Sequence, residues 1–451
     1  MDKKNISDYF DNDVPSFGSY DNIRKICGFD GLKNSQRKLI WTGFKRCNGS
    51  WIKTDTMCAQ TQIDTVYIHG AGNLEVVIDN MAASYVGSNN YPLFTGNSGG
   101  FGCRISPRAS AGRYTRITLS DISKQLFNPI DNEILEKQYF EGQYIEPKFL
   151  VPIFPVVFLN GSEGMSTGFS HVIYPRNPKE VITYIKKKLN GTTSPRDELL
   201  PWFKGHLGKV EYNPTLDRNE SFGVIVKNNM TSYTITEIPI GIEYQKYVEY
   251  LDKLCDTNVI VDYEDKCDPK TDKICFEIKT TREFTKKYPD DRSLYEIFHL
   301  IKSLPETLCC IDRENRAREF SSIKEILDDY IEYRSKFYTN RKNYILQNLK
   351  FELGKLVSKF IFCKAIIDKT LAVSNRKKTD IVSDLEKIDK IIKIDGNYDY
   401  LLRLPISQIT KEEIERLKEL INTTKNEILK IKSTSEKDMW IDDLNKLEKY
   451  L

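Results

Sequence analysis

The sequence predicts an α+β protein of several domains that continues into a long helical arm. Three observations carry this. The chain has 451 residues, more than one ordinary domain of about 100 to 200 residues holds. Helical and β-type runs are grouped along the chain rather than strictly alternating. Beyond residue 319 an apolar stripe at three- and four-residue spacing continues for about 40 residues.

Up to about residue 125, short helical patterns such as "SQRKLIWTGFKRC" and "LEVVIDNMAASYV" alternate with Gly/Asn/Ser-rich loops. In the second pattern Leu74, Val77, Ile78, Met81 and Ala82 recur at helical spacing and form one apolar face. The glycine-rich "FTGNSGGFGCR" then breaks the periodicity. From about 150 to 305, "PVVFLNG", "FGVIVKN", "SYTITEIPI" and "NVIVDYE" read as strands, while "IEYQKYVEYLDKLC" and "SLYEIFHLIKSL" read as helices. The arm stripe is Ile323, Leu327, Tyr330, Arg334, Phe337, Arg341, Ile345, Leu349, Leu353, Leu356 and Phe360. A second helix carries Ile414, Leu417, Ile421, Thr424, Ile428 and Ile431. Two long helices flanking a compact insert predict an antiparallel arm with a globular tip.

Lys plus Arg total 67 against 64 Asp plus Glu, a formal charge of +3. Bulk charge therefore does not mark a polyanion binder, and any such site must come from local clustering. The ten cysteines are scattered without metal-ligand spacing, which predicts reduced thiols and no metal site. The first residues lack the apolar core of a signal peptide. The run "FLVPIFPVVFL" is too short and proline-broken to cross a bilayer. The expected setting is cytoplasmic, with no membrane contact.

Local clustering is found at "SPRASAGRYTRITLS", residues 106–120, where arginines 108, 113 and 116, with Arg104 just before the stretch, surround Tyr114 and no acid follows until Asp121. A phenol with an ordinary pKa of about 10 is a poor nucleophile. It attacks well when cations stabilise the phenolate and the charge on a phosphoryl group. Arg113 stays protonated, so it is an electrostatic stabiliser and never a base. Upstream, "GFDGLKNSQRKLIW" offers Lys33, Arg37 and Lys38 at a helix start, where dipole and cation both favour a phosphate. His69 precedes a glycine and an amphipathic helix. Each piece alone is more often structural; their order along one chain is what carries weight.

That order, DGLK-x-x-QRK, Y-x-HG, VGSNN, G-x-FG-x-R and then RY, resembles the DNA breakage-reunion region of type IIA topoisomerases. "PIFPVVFLNGSEGMSTGFSHVIYPRNP" looks like the second signature of that family, and "SYTITEIPIGIEYQKYVEYLDKL" and "YLLRLPISQITKEEIERLKELI" match in order. Within the family, the architecture is most similar to the medium, DNA-cleaving subunit of the topoisomerases of large T-even-like phages. The sequence stops at Leu451 directly after the arm, and nothing in it resembles the ATPase glycine motifs or the acidic TOPRIM motifs.

The resemblance implies an N-terminal arm over 1–25, a winged-helix cleavage domain over 26–148, a tower domain over 149–318 and a coiled-coil arm over 319–451, its dimer-gate tip near 365–420. It implies an ATP-dependent isomerase that breaks duplex DNA through a 5′-phosphotyrosine link and reseals it after duplex passage. Tyr114 is then the nucleophile, with Arg113 and His69 beside it as catalytic residues. Arg37, Lys33, Lys38, Arg104 and Arg108 fall on DNA-binding positions. Met165 replaces the isoleucine that wedges between base pairs, and Ile68 replaces the usual histidine or proline before the HG pair. Mg²⁺ and ATP are expected on a separate ATPase/TOPRIM partner. Two copies of this chain are expected to form a C2 homodimer on double-stranded DNA, in the host cytoplasm for a phage chain. "NYDYLLRLPISQIT" is either the gate contact or an internal cap on the two helices. The rival reading is a catalytically silent winged-helix protein that bends DNA without cutting it.

Overall fold

The computed structural model describes residues 6–47, 49–194 and 198–451. The apolar faces read from the sequence form the expected helices Asn34–Arg46 and Ala71–Ala82, with Thr54–Thr65 between them. The Gln36 side chain accepts the Lys33 N–H at 2.9 Å and so helps to start the first of these. Leu74, Ile78, Met81 and Ala82 are buried as their spacing requires. A small antiparallel sheet sits with these helices. Arg116–Leu119 is its central strand, between Ile52–Lys53 and Phe94–Ser98. The order is helix, strand, helix, helix, strand, strand, and residues 99–115 form the loop between the last two strands.

The middle of the chain is α+β, as expected. Val224–Asn229, Ser232–Glu237, Phe276–Lys279 and Asp262–Asp265 make a four-stranded antiparallel sheet in that order. Helix Tyr244–Asp256 packs its apolar face on it, and the shared core includes Tyr233, Ile235, Tyr247, Leu251, Phe276 and Ile278. Two local expectations are corrected. "PVVFLNG" forms the helix Val156–Asn160, not a strand, with Val156 to Leu159 all buried. A short all-apolar run has no periodicity to reveal its type, and Pro155 and Gly161 flank it as helix punctuation. "SLYEIFHLIKSL" is helical only over Asp291–Ile297; Ile301–Leu304 is a strand paired with Arg218–Phe222, because sheet pairing overrides local helix propensity.

The chain divides into two compact units, one of residues up to Arg334 with Asp443–Leu451, the other Ser335–Asp442. The second unit is therefore shorter than the expected arm over 319–451. Its two long helical segments belong to Ile323–Ile367 and Lys411–Ser433. They run antiparallel: the Lys342 Nζ donates to the Thr434 carbonyl at 2.8 Å, while Cys363 at the far end meets the Gln408 carbonyl. Between them a tip core of Phe362, Cys363, Leu371, Ile381, Leu385, Tyr398 and Leu401 closes the insert. The first half of "NYDYLLRLPISQIT" is thus internal, whereas Ile406 is 87% exposed.

Candidate active site

Tyr114 lies on the 99–115 loop, two residues before strand Arg116–Leu119. Its ring is 65% exposed. The backbone around it is tied down on both sides. The Tyr114 N–H donates to the Ala111 carbonyl at 2.8 Å and closes a tight turn. The Ser98 hydroxyl donates to the Tyr114 carbonyl at 3.3 Å. Next to it Thr115 is buried, its hydroxyl 2.6 Å from that of Thr54, and its carbonyl accepts the Thr54 N–H. On the other side, the Gly112 N–H donates to the Glu75 carboxylate at 2.6 Å. A fixed main chain thus presents an exposed phenol. The Arg113 guanidinium sits over that ring, 5.1 Å from its centroid, where cation and π-face attract.

His69 stands just before helix Ala71–Ala82, the helix whose Glu75 reaches the tyrosine loop. Its Nε2 is 3.1 Å from the Tyr20 hydroxyl and its ring meets Tyr67 edge-on at 5.3 Å. Partial burial, then the nearby Arg24 charge, lowers its pKa. At neutral pH the imidazole is therefore uncharged and able to donate one hydrogen bond and accept another.

The basic residues expected to face DNA separate into two groups. Arg37 is corrected: it is 4% exposed, forked onto Asp30 at 2.7 and 2.9 Å, bonded to the Leu32 carbonyl and stacked on Phe149. Lys38 is also buried, held by Glu146 at 2.7 Å and by the Thr65 carbonyl. Arg104 is turned inward onto Glu237 and the Ile238 carbonyl, with its backbone N–H on Asp272. All three have the same physical reason: a buried carboxylate or carbonyl satisfies a cation that burial would otherwise penalise. Lys33 is half-buried and its ammonium donates to the Glu163 carbonyl. Burial lowers its pKa. Arg108, by contrast, is exposed, and among the described residues nothing pairs with its guanidinium.

Met165 is 81% exposed and ends the first strand of the hairpin Ser162–Met165/Ser170–Ile173, opposite Ser170. Two residues that the sequence reading missed hold this hairpin. Asp21 accepts from the Thr167 N–H at 3.0 Å and from its hydroxyl at 3.1 Å, and Asn22 accepts from the Ser166 hydroxyl at 2.6 Å. In a helix as polar as VPSFGSYDNIRK, two more polar residues give no signal in the sequence. Among the described residues no three His, Cys, Asp or Glu side chains could together hold a metal ion, and no helix is long and apolar enough to cross a membrane.

A family model for the A-type subunits of DNA gyrase and topoisomerase IV matches residues 26–445. The chain belongs to this family of type IIA topoisomerase cleavage regions. It is 31% identical over 457 residues to DNA topoisomerase 2, mitochondrial, of Dictyostelium discoideum, covering 98% of this chain and 35% of that protein. It is 30% identical over 458 residues to DNA topoisomerase 2 of Invertebrate iridescent virus 6, covering 99% of this chain and 39% of that one. Among solved structures it is similar to the crystal structure of the Plasmodium falciparum topoisomerase II DNA-binding, cleavage and re-ligation domain. That match has a TM-score of 0.88 at 31% identity and covers 98% of this chain and 64% of the other. The chain spans about a third of the length of the curated relatives it matches.

Proposed function

We propose that this family member is the DNA-cleaving subunit of an ATP-dependent type II topoisomerase, with Tyr114 as its nucleophile. The observation that carries the reading is the exposed phenol on a pinned backbone, with the Arg113 guanidinium over its face. The phenol oxygen attacks a backbone phosphorus; the bond to the 3′ oxygen breaks, the 5′ end stays on Tyr114 and the 3′ hydroxyl leaves. One phosphodiester replaces another, so resealing needs no chemical energy source. Arg113 stabilises the charge that builds on the phosphoryl oxygens. Uncharged His69 supplies a hydrogen bond to the scissile phosphate or the incoming phenol. Mg²⁺ and ATP belong in this reading to a separate ATPase/TOPRIM partner, following the medium-subunit architecture of T-even-like phages, and no step is assigned to either on this chain.

The order of helices and strands around Tyr114 supports a winged helix, followed by a tower domain and the coiled-coil arm. Cutting both strands needs two tyrosines, which a C2 homodimer supplies. Ile406 is the tip side chain offered for the lower gate. Arg108 and Lys33 remain the duplex-facing cations, while Arg37, Lys38 and Arg104 brace the scaffold. Met165 projects as a wedge that offsets an unstacking cost of about a few kcal/mol with added protein contact. The cytoplasm, the host's for a phage chain, is the proposed setting.

The deciding experiment assembles the full chain with its ATPase/TOPRIM partner, Mg²⁺ and duplex DNA. A covalent adduct should map to Tyr114 and vanish in Tyr114→Phe while duplex binding persists. An assembly that binds and bends DNA but yields no adduct would return the silent architectural reading.

A further inference from the structure

We infer that Glu75 is a positioning residue for Tyr114, acting through the Gly112 N–H; this rests on the function proposed above. The loop around Tyr114 is made of small and basic residues, and its sequence neighbours contain no acid. The fold nevertheless inserts one from another element. Glu75, in the second turn of helix Ala71–Ala82, accepts the Gly112 N–H at 2.6 Å, the short distance of a charge-assisted bond. A carboxylate this close to a phosphate-binding loop repels the substrate, so its place there requires a compensating task.

The surroundings show a cost as well. Asp79 lies one turn further along the same helix face, a like-charge spacing that destabilises helices. One of its carboxylate oxygens is buried without a hydrogen-bond partner. Glu75 therefore remains where it is in spite of its neighbour. What it fixes is the residue two before the nucleophile: Gly112 is buried, and the turn it begins is closed by the Tyr114 N–H on the Ala111 carbonyl. The Ser110 N–H on the Gly100 carbonyl lies on the far side of Ala111, and within the turn the Thr115 hydroxyl reaches the Gly112 carbonyl only at 3.4 Å, so the Glu75 bond is the shorter of the two side-chain ties on Gly112.

Gly112 supplies the reciprocal half of the device. A β-carbon there would stand 2.9 Å from the Glu75 carboxyl carbon and from one of its oxygens. The carboxylate is the end of a flexible side chain, so Gly112→Ala pushes it off the N–H rather than unfolding the loop. Glu75→Ala and Gly112→Ala thus remove the same contact from opposite ends. Losing it loosens the turn, and a misplacement of about 1 Å at a nucleophile costs about 10²-fold.

The test measures single-turnover formation of the Tyr114 adduct and duplex affinity in the complete assembly with Mg²⁺ and the ATPase/TOPRIM partner. Glu75→Ala should lower the cleavage rate by about 10- to 100-fold at unchanged duplex affinity and with no fall in the unfolding midpoint, since the repulsion of Asp79 is relieved. Glu75→Gln, which keeps an acceptor oxygen, should recover most of the rate. Gly112→Ala should match Glu75→Ala, and the double variant should be no slower than either single one, as expected when both act on one interaction. Wild-type cleavage by Glu75→Ala, multiplying losses in the double variant, or a loss of affinity in step with rate would each overturn the inference. An absence of adduct in the unmodified assembly would instead sink the proposed function, so the two failures are distinguishable.

Discussion

Arginines that look alike along this chain include a buried set and an exposed set, and the tyrosine loop holds members of both. Arg37, Arg104 and Arg334 are buried against Asp30, Glu237 and Asp131. Arg108 and Arg113 stand in solvent on the tyrosine loop. A buried guanidinium whose charge a carboxylate already neutralises is out of a phosphate's reach, and removing it strands a buried charge. An unpaired one in water costs the fold nothing and keeps its donors for a ligand. Charge alone, therefore, does not locate a polyanion site; the unspent charge does.

The largest expected effect tests the buried set. Arg37→Ala should lose about 3 to 5 kcal/mol of unfolding free energy in a urea titration, because the buried Asp30 loses its counter-charge and keeps only the Leu32 and Leu150 N–H groups, while the folded fraction binds duplex DNA as before. Reduced DNA affinity without lost stability would place Arg37 with the exposed arginines after all. A smaller effect is expected at Arg108→Ala. Its unfolding midpoint should not move, but the slope of log affinity against log salt should become shallower by about one, the signature of a lost phosphate contact.

The smallest effect concerns a charge that is neither paired nor free. Burial, then Glu75, raises the Asp79 pKa from 3.8 to about 6. The folded chain thus holds this proton more tightly than the unfolded chain. The resulting stability is fully present below about pH 3.8 and is lost as pH rises through about 6. Asp79→Asn should therefore raise the unfolding midpoint at about pH 7.5, and its advantage should shrink toward pH 4. An advantage independent of pH would mean that Asp79 is not the group carrying the penalty.

The elements legible in the sequence were those whose own periodicity specifies them. Leu74, Ile78 and Met81 announced a helix, and the stripe from Ile323 to Phe360 announced the arm, realised as the 45-residue helix Ile323–Ile367. Tyr114 and Arg113 are exposed side chains on the 99–115 loop. What escaped were decisions made by distant partners. Arg37 and Lys38 lie within a stretch of helix Asn34–Arg46 that is buried on every side, so a basic face expected to meet solvent meets Asp30 and Glu146 instead. Arg104 finds its acid on another sheet. Glu75 was visible only as an oddity, an acid followed by another one turn later on an otherwise uncharged helix.

The hairpin that carries Met165 has a further consequence for the proposed mechanism. A side chain that parts stacked bases needs a backing stiffer than the stack, or the thrust is absorbed by the protein. Here the recoil passes through Ser166 and Thr167 into Asp21 and Asn22 of helix Val14–Lys25. Gly164 lets that helix lie so near that a β-carbon would stand 2.4 Å from the Lys25 carbonyl oxygen. In that mechanism helix Val14–Lys25 would serve as an anvil, and residues that never touch the duplex would set how sharply it is creased.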